Sequence, residues 1–154
     1  MALLATGPLT NPAIAYLLNN NFPNLLGGFV LMGGNYSGIG LNHAFSAEFN
    51  FHGDVDATYI VIKNFKNIII IPLELALEAP TTDFENFFAS EKSEKGKFMK
   101  SIFEGKYQCL CDPLVAFPLI MPETVTGVYK VYGEIVKEGY RTRGFVAIDW
   151  LNTK

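Results

Sequence analysis

The groups in this chain most able to do chemistry fall in four short segments. Thr6-Gly7-Pro8-Leu9-Thr10-Asn11 comes first, then Met32-Gly33-Gly34 with Asn42 behind it, then Glu48-Phe49-Asn50, and finally Cys111-Asp112-Pro113-Leu114. These are positions where a strand of an open α/β sheet would end and a ligand crevice would open. Asp112 offers a carboxylate of the kind hard cations take, and it is also a favoured helix N-cap with proline at the first helical position. It serves both roles only if one oxygen is free of the cap. If residues 48–50 are extended, Glu48 and Asn50 share one face and Phe49 takes the other, so carboxylate and amide could meet a common ligand. The same spacing also suits an edge facing solvent. Thr6 to Asn11 reads as a strand end, a turn and a capped helix.

Other chemistries fail on spacing or composition. The run Gly33-Gly34-Asn35-Tyr36-Ser37-Gly38-Ile39-Gly40 is glycine-rich but contains neither G-x-G-x-x-G nor a lysine-bearing phosphate loop. His43 and His52 with Cys109 and Cys111 lack the spacing of a zinc motif. A net charge of -3 leaves no basic footprint for nucleic acid or an anionic membrane. No apolar run approaches the roughly 18 residues of a membrane helix, because Gly27 and Gly28 interrupt the longest candidate. Cys109 and Cys111 lie only two residues apart, which disfavours a disulfide between them and favours a reducing, cytoplasmic setting. The chain opens at Ala2-Leu3-Leu4-Ala5 as a strand already under way, without a basic and hydrophobic targeting segment.

The elements expected to position these groups follow from apolar periodicity. Leu3–Ala5, Phe29–Met32, Ile68–Ile71 and Phe145–Ile148 are continuous apolar runs, the pattern of parallel strands covered on both faces. Asn11 as N-cap and Pro12 at the first position predict a helix with Ile14, Leu17 and Leu18 on its inner face. Asp54 predicts a second, carrying Val55, Tyr59 and Ile62 at helical spacing. Thr82-Asp83-Phe84-Glu85 reads as a capping box before a helix or broken helical pair with Phe87, Phe88, Phe98, Met99, Ile102 and Phe103, and Glu91–Lys97 as a solvated face or an interruption. A further helix is expected from Asp112 toward Met121 with Pro118 inside it, where proline costs on the order of 3 kcal/mol or a kink. Strands alternating with helices imply an α/β fold: an open, mostly parallel sheet with helices on both faces, in one domain over residues 1–154.

Taken together, these segments resemble the inosine/uridine-preferring nucleoside hydrolase family over nearly the whole chain. Cys111 before Asp112, where other members carry histidine, and the ending Phe145-Val146-Ala147-Ile148-Asp149-Trp150 are similar to a Cys-containing branch. The family's Asp-rich segment D-x-D-x-G-x-D-D does not occur in this sequence. The resemblance therefore implies an incomplete, truncated hydrolase domain whose catalytic base lies elsewhere. It implies hydrolysis of the N-glycosidic bond of ribonucleosides to ribose and free base, as in purine and pyrimidine salvage. It also implies calcium held by Asp112 and the backbone carbonyl of Thr6, and ribose held by Met32, Asn42, Glu48 and Asn50. Cys111 would sit near the leaving group; an ordinary thiol donates a proton weakly, so packing suits it better. Association with copies of itself is also expected. The alternative is a degenerate, non-catalytic paralogue serving as an interaction or subunit module, favoured by the absent aspartates, by Pro118 and by Leu73 where that branch often has tryptophan in a P-W-E segment.

Overall fold

The computed structural model describes residues 1–40, 45–79, 86, 90–103 and 111–153. Three strands, β1 (Ala2–Ala5), β2 (Gly28–Met32) and β3 (Ile68–Ile71), form a parallel sheet in the order β1-β2-β3. Leu3, Phe29 and Ile68 align across it, as do Leu4, Val30 and Ile69. The continuous apolar run of β2 has the expected cause. Phe29 and Leu31 enter one core with Leu9, Ala13, Phe51, Val55 and Val61, while Val30 and Met32 enter a second with Ile71, Leu73, Ala76 and Val115. Each such fully buried side chain contributes about 1.5 to 3 kcal/mol of transfer free energy. The sheet thus has helices on both faces at its centre.

The flanking strands are less covered than expected. Leu4 is 44% exposed and Ile69 41%. Phe145–Ile148 does not join the parallel sheet: the strand there is β5 (Val146–Asp149), paired antiparallel with β4 (Tyr132–Ile135). Its partner was not foreseen, since only Ile135 of the four β4 residues is buried and the segment has no apolar run.

Helix α1 (Thr10–Leu18) starts before Asn11, with Leu9 in the cap position and no side-chain cap. Pro12 therefore occupies the third helical position, still within the first turn where no intrahelical N–H is needed. Thr10 Oγ1 instead donates to Asp54 Oδ2 at 2.6 Å, binding the start of α1 to that of α3 (Val55–Asn64). The inner face of α1 is also not the expected one. Pro12 and Ala13 are buried, whereas Ile14, Leu17 and Leu18 are 48%, 67% and 83% exposed. Asp54 does cap α3, its Oδ1 accepting from Ala57 N at 3.0 Å.

Glu48-Phe49-Asn50 is not extended. Glu48 caps a one-and-a-half-turn helix, α2 (Phe49–Gly53), and Asn50 lies in its first turn. The segment after β3 forms α4 (Leu73–Glu78), and Glu94–Phe103 forms α5. The capping box at 82–85, and Phe87 and Phe88, lie outside the described residues, and Glu94 starts α5 midway along the charged stretch. Beyond Asp112 the expected single helix is two pieces, a 3-10 turn (Pro113–Ala116) and α6 (Phe117–Ile120). Pro118 falls in the first turn of α6 rather than inside a long helix, which removes the steric conflict. No described helix is long and apolar enough to cross a membrane.

Candidate functional site

The carboxyl ends of the parallel strands gather most of the singled-out residues. Where β2 ends, Gly33 N donates to Ile71 O at 3.1 Å, and Leu73 N donates to Gly34 O at 2.9 Å, so the turn after β2 is tied to the turn after β3. Gly34 has φ +71°, and a Cβ on Gly33 would lie 2.4 Å from the Phe51 ring. Glycine at 33 is what lets α2 approach the strand end this closely.

Glu48 is 2% exposed and its carboxylate is already engaged. Oε1 accepts from Asn50 N at 2.7 Å, and Oε2 accepts from Phe51 N at 3.1 Å and Gly34 N at 2.9 Å. A carboxylate has about four acceptor sites, so one position remains for a ligand. Burial raises the Glu48 pKa, the three backbone N–H groups oppose that, and the charge of Asp112 raises it further. That last influence places Asp112 and Glu48 in one electrostatic neighbourhood.

Asn50 is 6% exposed, and its Nδ2 donates to Met32 O at 3.1 Å and contacts Met32 Sδ at 3.3 Å. With the amide hydrogens turned to Met32, the group it offers outward is an acceptor oxygen, suited to a hydroxyl. Met32 is itself 2% exposed. Glu48, Asn50 and Met32 thus form one hydrogen-bonded unit, although through a helix N-terminus rather than the expected strand face.

Asp112 stands at the cap position of the 3-10 turn with φ −72° and ψ −40°, and its side chain makes no capping bond. The condition set by the sequence, an oxygen free of the cap, is therefore met. Asp112 is exposed, and desolvation by the protein it does touch raises its pKa. Cys111 is half-buried and packs with Leu114 against the core of Val30, Met32 and Val115. Thr6 follows β1 directly and is exposed. Asn42 lies outside the described residues, as do His43 and Cys109; His52 sits in the last turn of α2.

Asp112 and the Thr6 carbonyl are donors of the right hardness for calcium, but that ion takes 6 to 8 oxygens. Among the described residues no group of three or more His, Cys, Asp or Glu side chains could share a metal. The donor set matches in kind and falls short in number.

Two contributors escaped the sequence reading. Asn35, 2% exposed, donates from Nδ2 to Ile39 O and Ser46 O, both at 2.8 Å, and so fastens the two flanks of the loop before Glu48. Its Oδ1 is sealed without a hydrogen-bond partner among the described residues. Glu74 Oε1 accepts from Tyr36 N at 2.9 Å and Ser37 N at 2.7 Å, holding the start of that loop. The signal available in the sequence was an asparagine directly after Gly33-Gly34, a turn residue with a second use.

The whole chain, residues 1–154, matches the family model described as inosine-uridine preferring nucleoside hydrolase. A probable uridine nucleosidase 2 from Oryza sativa subsp. japonica is 31% identical over 112 residues, 73% of this chain and 30% of that protein. The solved structure of an inosine-guanosine nucleoside hydrolase superposes with TM-score 0.86 and 28% identity, covering 99% of this chain and 51% of that one. An inosine-uridine preferring nucleoside hydrolase from Bacillus anthracis gives TM-score 0.85 and 25% identity, with 97% and 51% covered. The chain thus spans about a third of that curated relative and about half of each of these solved structures.

Proposed function

The chain belongs to the inosine-uridine preferring nucleoside hydrolase family, and from that premise we propose that it supplies the ribose-facing part of a site that hydrolyses the N-glycosidic bond of ribonucleosides. The observation that carries this reading is the joined unit of Glu48, Asn50 and Met32 at the strand ends, with Asp112 near enough to act on Glu48.

In this reading Asn50 accepts a ribose hydroxyl through Oδ1, Glu48 sets the orientation of Asn50 by capping α2, and Met32 lines the apolar side of the sugar. Asp112 and the Thr6 carbonyl would be two of the ligands of a calcium ion, which when bound supplies a lowered water pKa and a template for the hydroxyls. Cys111 packs against the core of Val30, Met32 and Val115. Among the described residues at the site, Asp112 is the one carboxylate without a capping bond, and the family resemblance would assign proton abstraction from water to the Asp-rich segment.

The shortage of oxygen donors among the described residues favours a second reading, in which the chain is a non-catalytic module. The two are separated by assaying ribose release from inosine and uridine, first with the chain alone and then with the Asp-rich half of a relative supplied. Hydrolysis that requires both parts and is lost in Asp112→Ala supports the first reading. No release from either nucleoside in either preparation supports the second. On donor count, calorimetry of the chain alone is expected to show weak calcium binding or none; micromolar affinity would mean that further ligands lie within it.

A further inference from the structure

On the rim formed by the loop after β2, the segment before β4 and the residue after β5, three aromatic side chains meet at right angles. Tyr36 and Trp150 have ring centroids 6.1 Å apart with an interplanar angle of 90°, and Tyr129 and Trp150 are 6.4 Å apart at 81°. They remain 45%, 52% and 84% exposed for Tyr36, Trp150 and Tyr129 respectively, so the cluster keeps open ring surface. Perpendicular rings bound a corner rather than a slot.

Two carboxylates back this corner. Glu74 and Glu78 are four residues apart on α4, hence neighbours on one helix face. The Tyr36 phenol titrates above its ordinary value, through partial burial first and then through the charges of Glu74 and Glu78, so both carboxylates act on that ring. Glu74 is held in place by Tyr36 N and Ser37 N on Oε1, and its Oε2 is sealed with no hydrogen-bond partner among the described residues.

Two other rings of this fold, Tyr59 and Phe45, carry its own cations. Lys63 and Lys137 lie over Tyr59 at 5.2 and 4.9 Å, and Arg141 lies over Phe45 at 5.2 Å. Among the described residues, none of those cations lies over Tyr36, Tyr129 or Trp150. Aromatic faces attract cations through their quadrupole, and backing carboxylates strengthen the attraction.

We propose that Tyr36, Tyr129 and Trp150, backed by Glu74 and Glu78, form a binding site for a small alkylammonium cation of the quaternary or methylated-amine class. The proposal stands whether or not the chain is catalytic.

Trp150 is the sole tryptophan, so its emission reports on the corner directly. The chain is titrated with tetramethylammonium chloride at ionic strength held constant with sodium chloride. The expected result is a saturable change in emission with a midpoint on the order of millimolar. Tyr129→Ala and Glu78→Gln should each shift that midpoint up by about tenfold. Saturation transfer from protein to the ligand methyl protons provides a readout independent of fluorescence. A linear response, the same response to sodium chloride alone, or an unchanged midpoint in both variants would overturn the proposal. So would tighter saturation by adenine or uracil, which would make the corner a base-stacking surface.

Discussion

At the scale of the residue, Glu48 shows how one side chain is committed. A 2% exposed carboxylate accepting three backbone N–H groups organises the strand end, and burial still holds its pKa above the ordinary range. An acid whose folded pKa exceeds its unfolded value, near 4.3, binds more protons when folded. Stability from this group is therefore greatest below the unfolded value and declines as pH rises through the folded one. Urea unfolding across that window should show a shallower decline in Glu48→Gln than in the wild-type chain; parallel profiles would mean that the group is not the source. Asp112, Cys111 and Asn50 separate by kinetics in a hydrolytically competent assembly. Asp112→Ala should abolish turnover, since it removes the charged ligand of the proposed ion. Asn50→Ala should lower kcat/KM by roughly 5- to 150-fold, the equivalent of about 1 to 3 kcal/mol for a lost buried hydrogen bond. Cys111→Ala should do far less; if it is as impaired as Asp112→Ala, the thiol belongs in the chemistry.

At the scale of the element, α1 and α3 are tied at their starts through Thr10 and Asp54 and at their far ends by Tyr16 Oη donating to Asn64 Oδ1 at 3.0 Å. Asp54 caps α3 through Oδ1 and takes Thr10 Oγ1 on Oδ2, so one carboxylate sets the beginnings of two helices. Asp54→Ala removes both bonds and should cost about 1 to 2 kcal/mol, whereas Thr10→Val removes only the tie and should cost less. Denaturant midpoints of the two variants measure the difference. The turn after β2 has a similar dependence on close approach. Gly33→Ala would place a Cβ 2.4 Å from the Phe51 ring and should destabilise the chain by about 1 to 3 kcal/mol in the same assay.

At the scale of the whole molecule, the uncovered apolar surface is the main property. Leu4, Ile69, Leu17 and Leu18 are 44%, 41%, 67% and 83% exposed on the sheet and α1, although their sequence pattern is that of a covered α/β interior. Exposed apolar faces beside the open edges of a three-stranded sheet favour contact with other chains. Sedimentation should show concentration-dependent self-association of the wild-type chain, reduced in the double variant Leu17→Glu, Leu18→Lys. A monodisperse, cooperatively folding monomer at all concentrations would refute this.

Apolar runs and capping residues by themselves determined the three parallel strands, the start of α3 at Asp54 and the α/β class, because each depends on neighbours a few residues away. They also placed Met32, Glu48 and Asn50 at the strand ends, where the structure unites them. The conformation of Glu48–Asn50 was not legible, because a helix as short as α2 is stabilised by Gly34 N across the turn and by burial of Phe51, both distant in sequence. Nor was the inner face of α1, which is chosen by α3 and the sheet rather than by the apolar residues of α1 itself. The antiparallel pairing of β5 was hidden for the same reason. Val146–Asp149 is as apolar as a parallel strand, and only its partner, Tyr132–Ile135, decides its direction. Local pattern specifies what a segment can become; the contacts made across the tertiary fold select which of those states is occupied, since burial outweighs the small propensity differences among them.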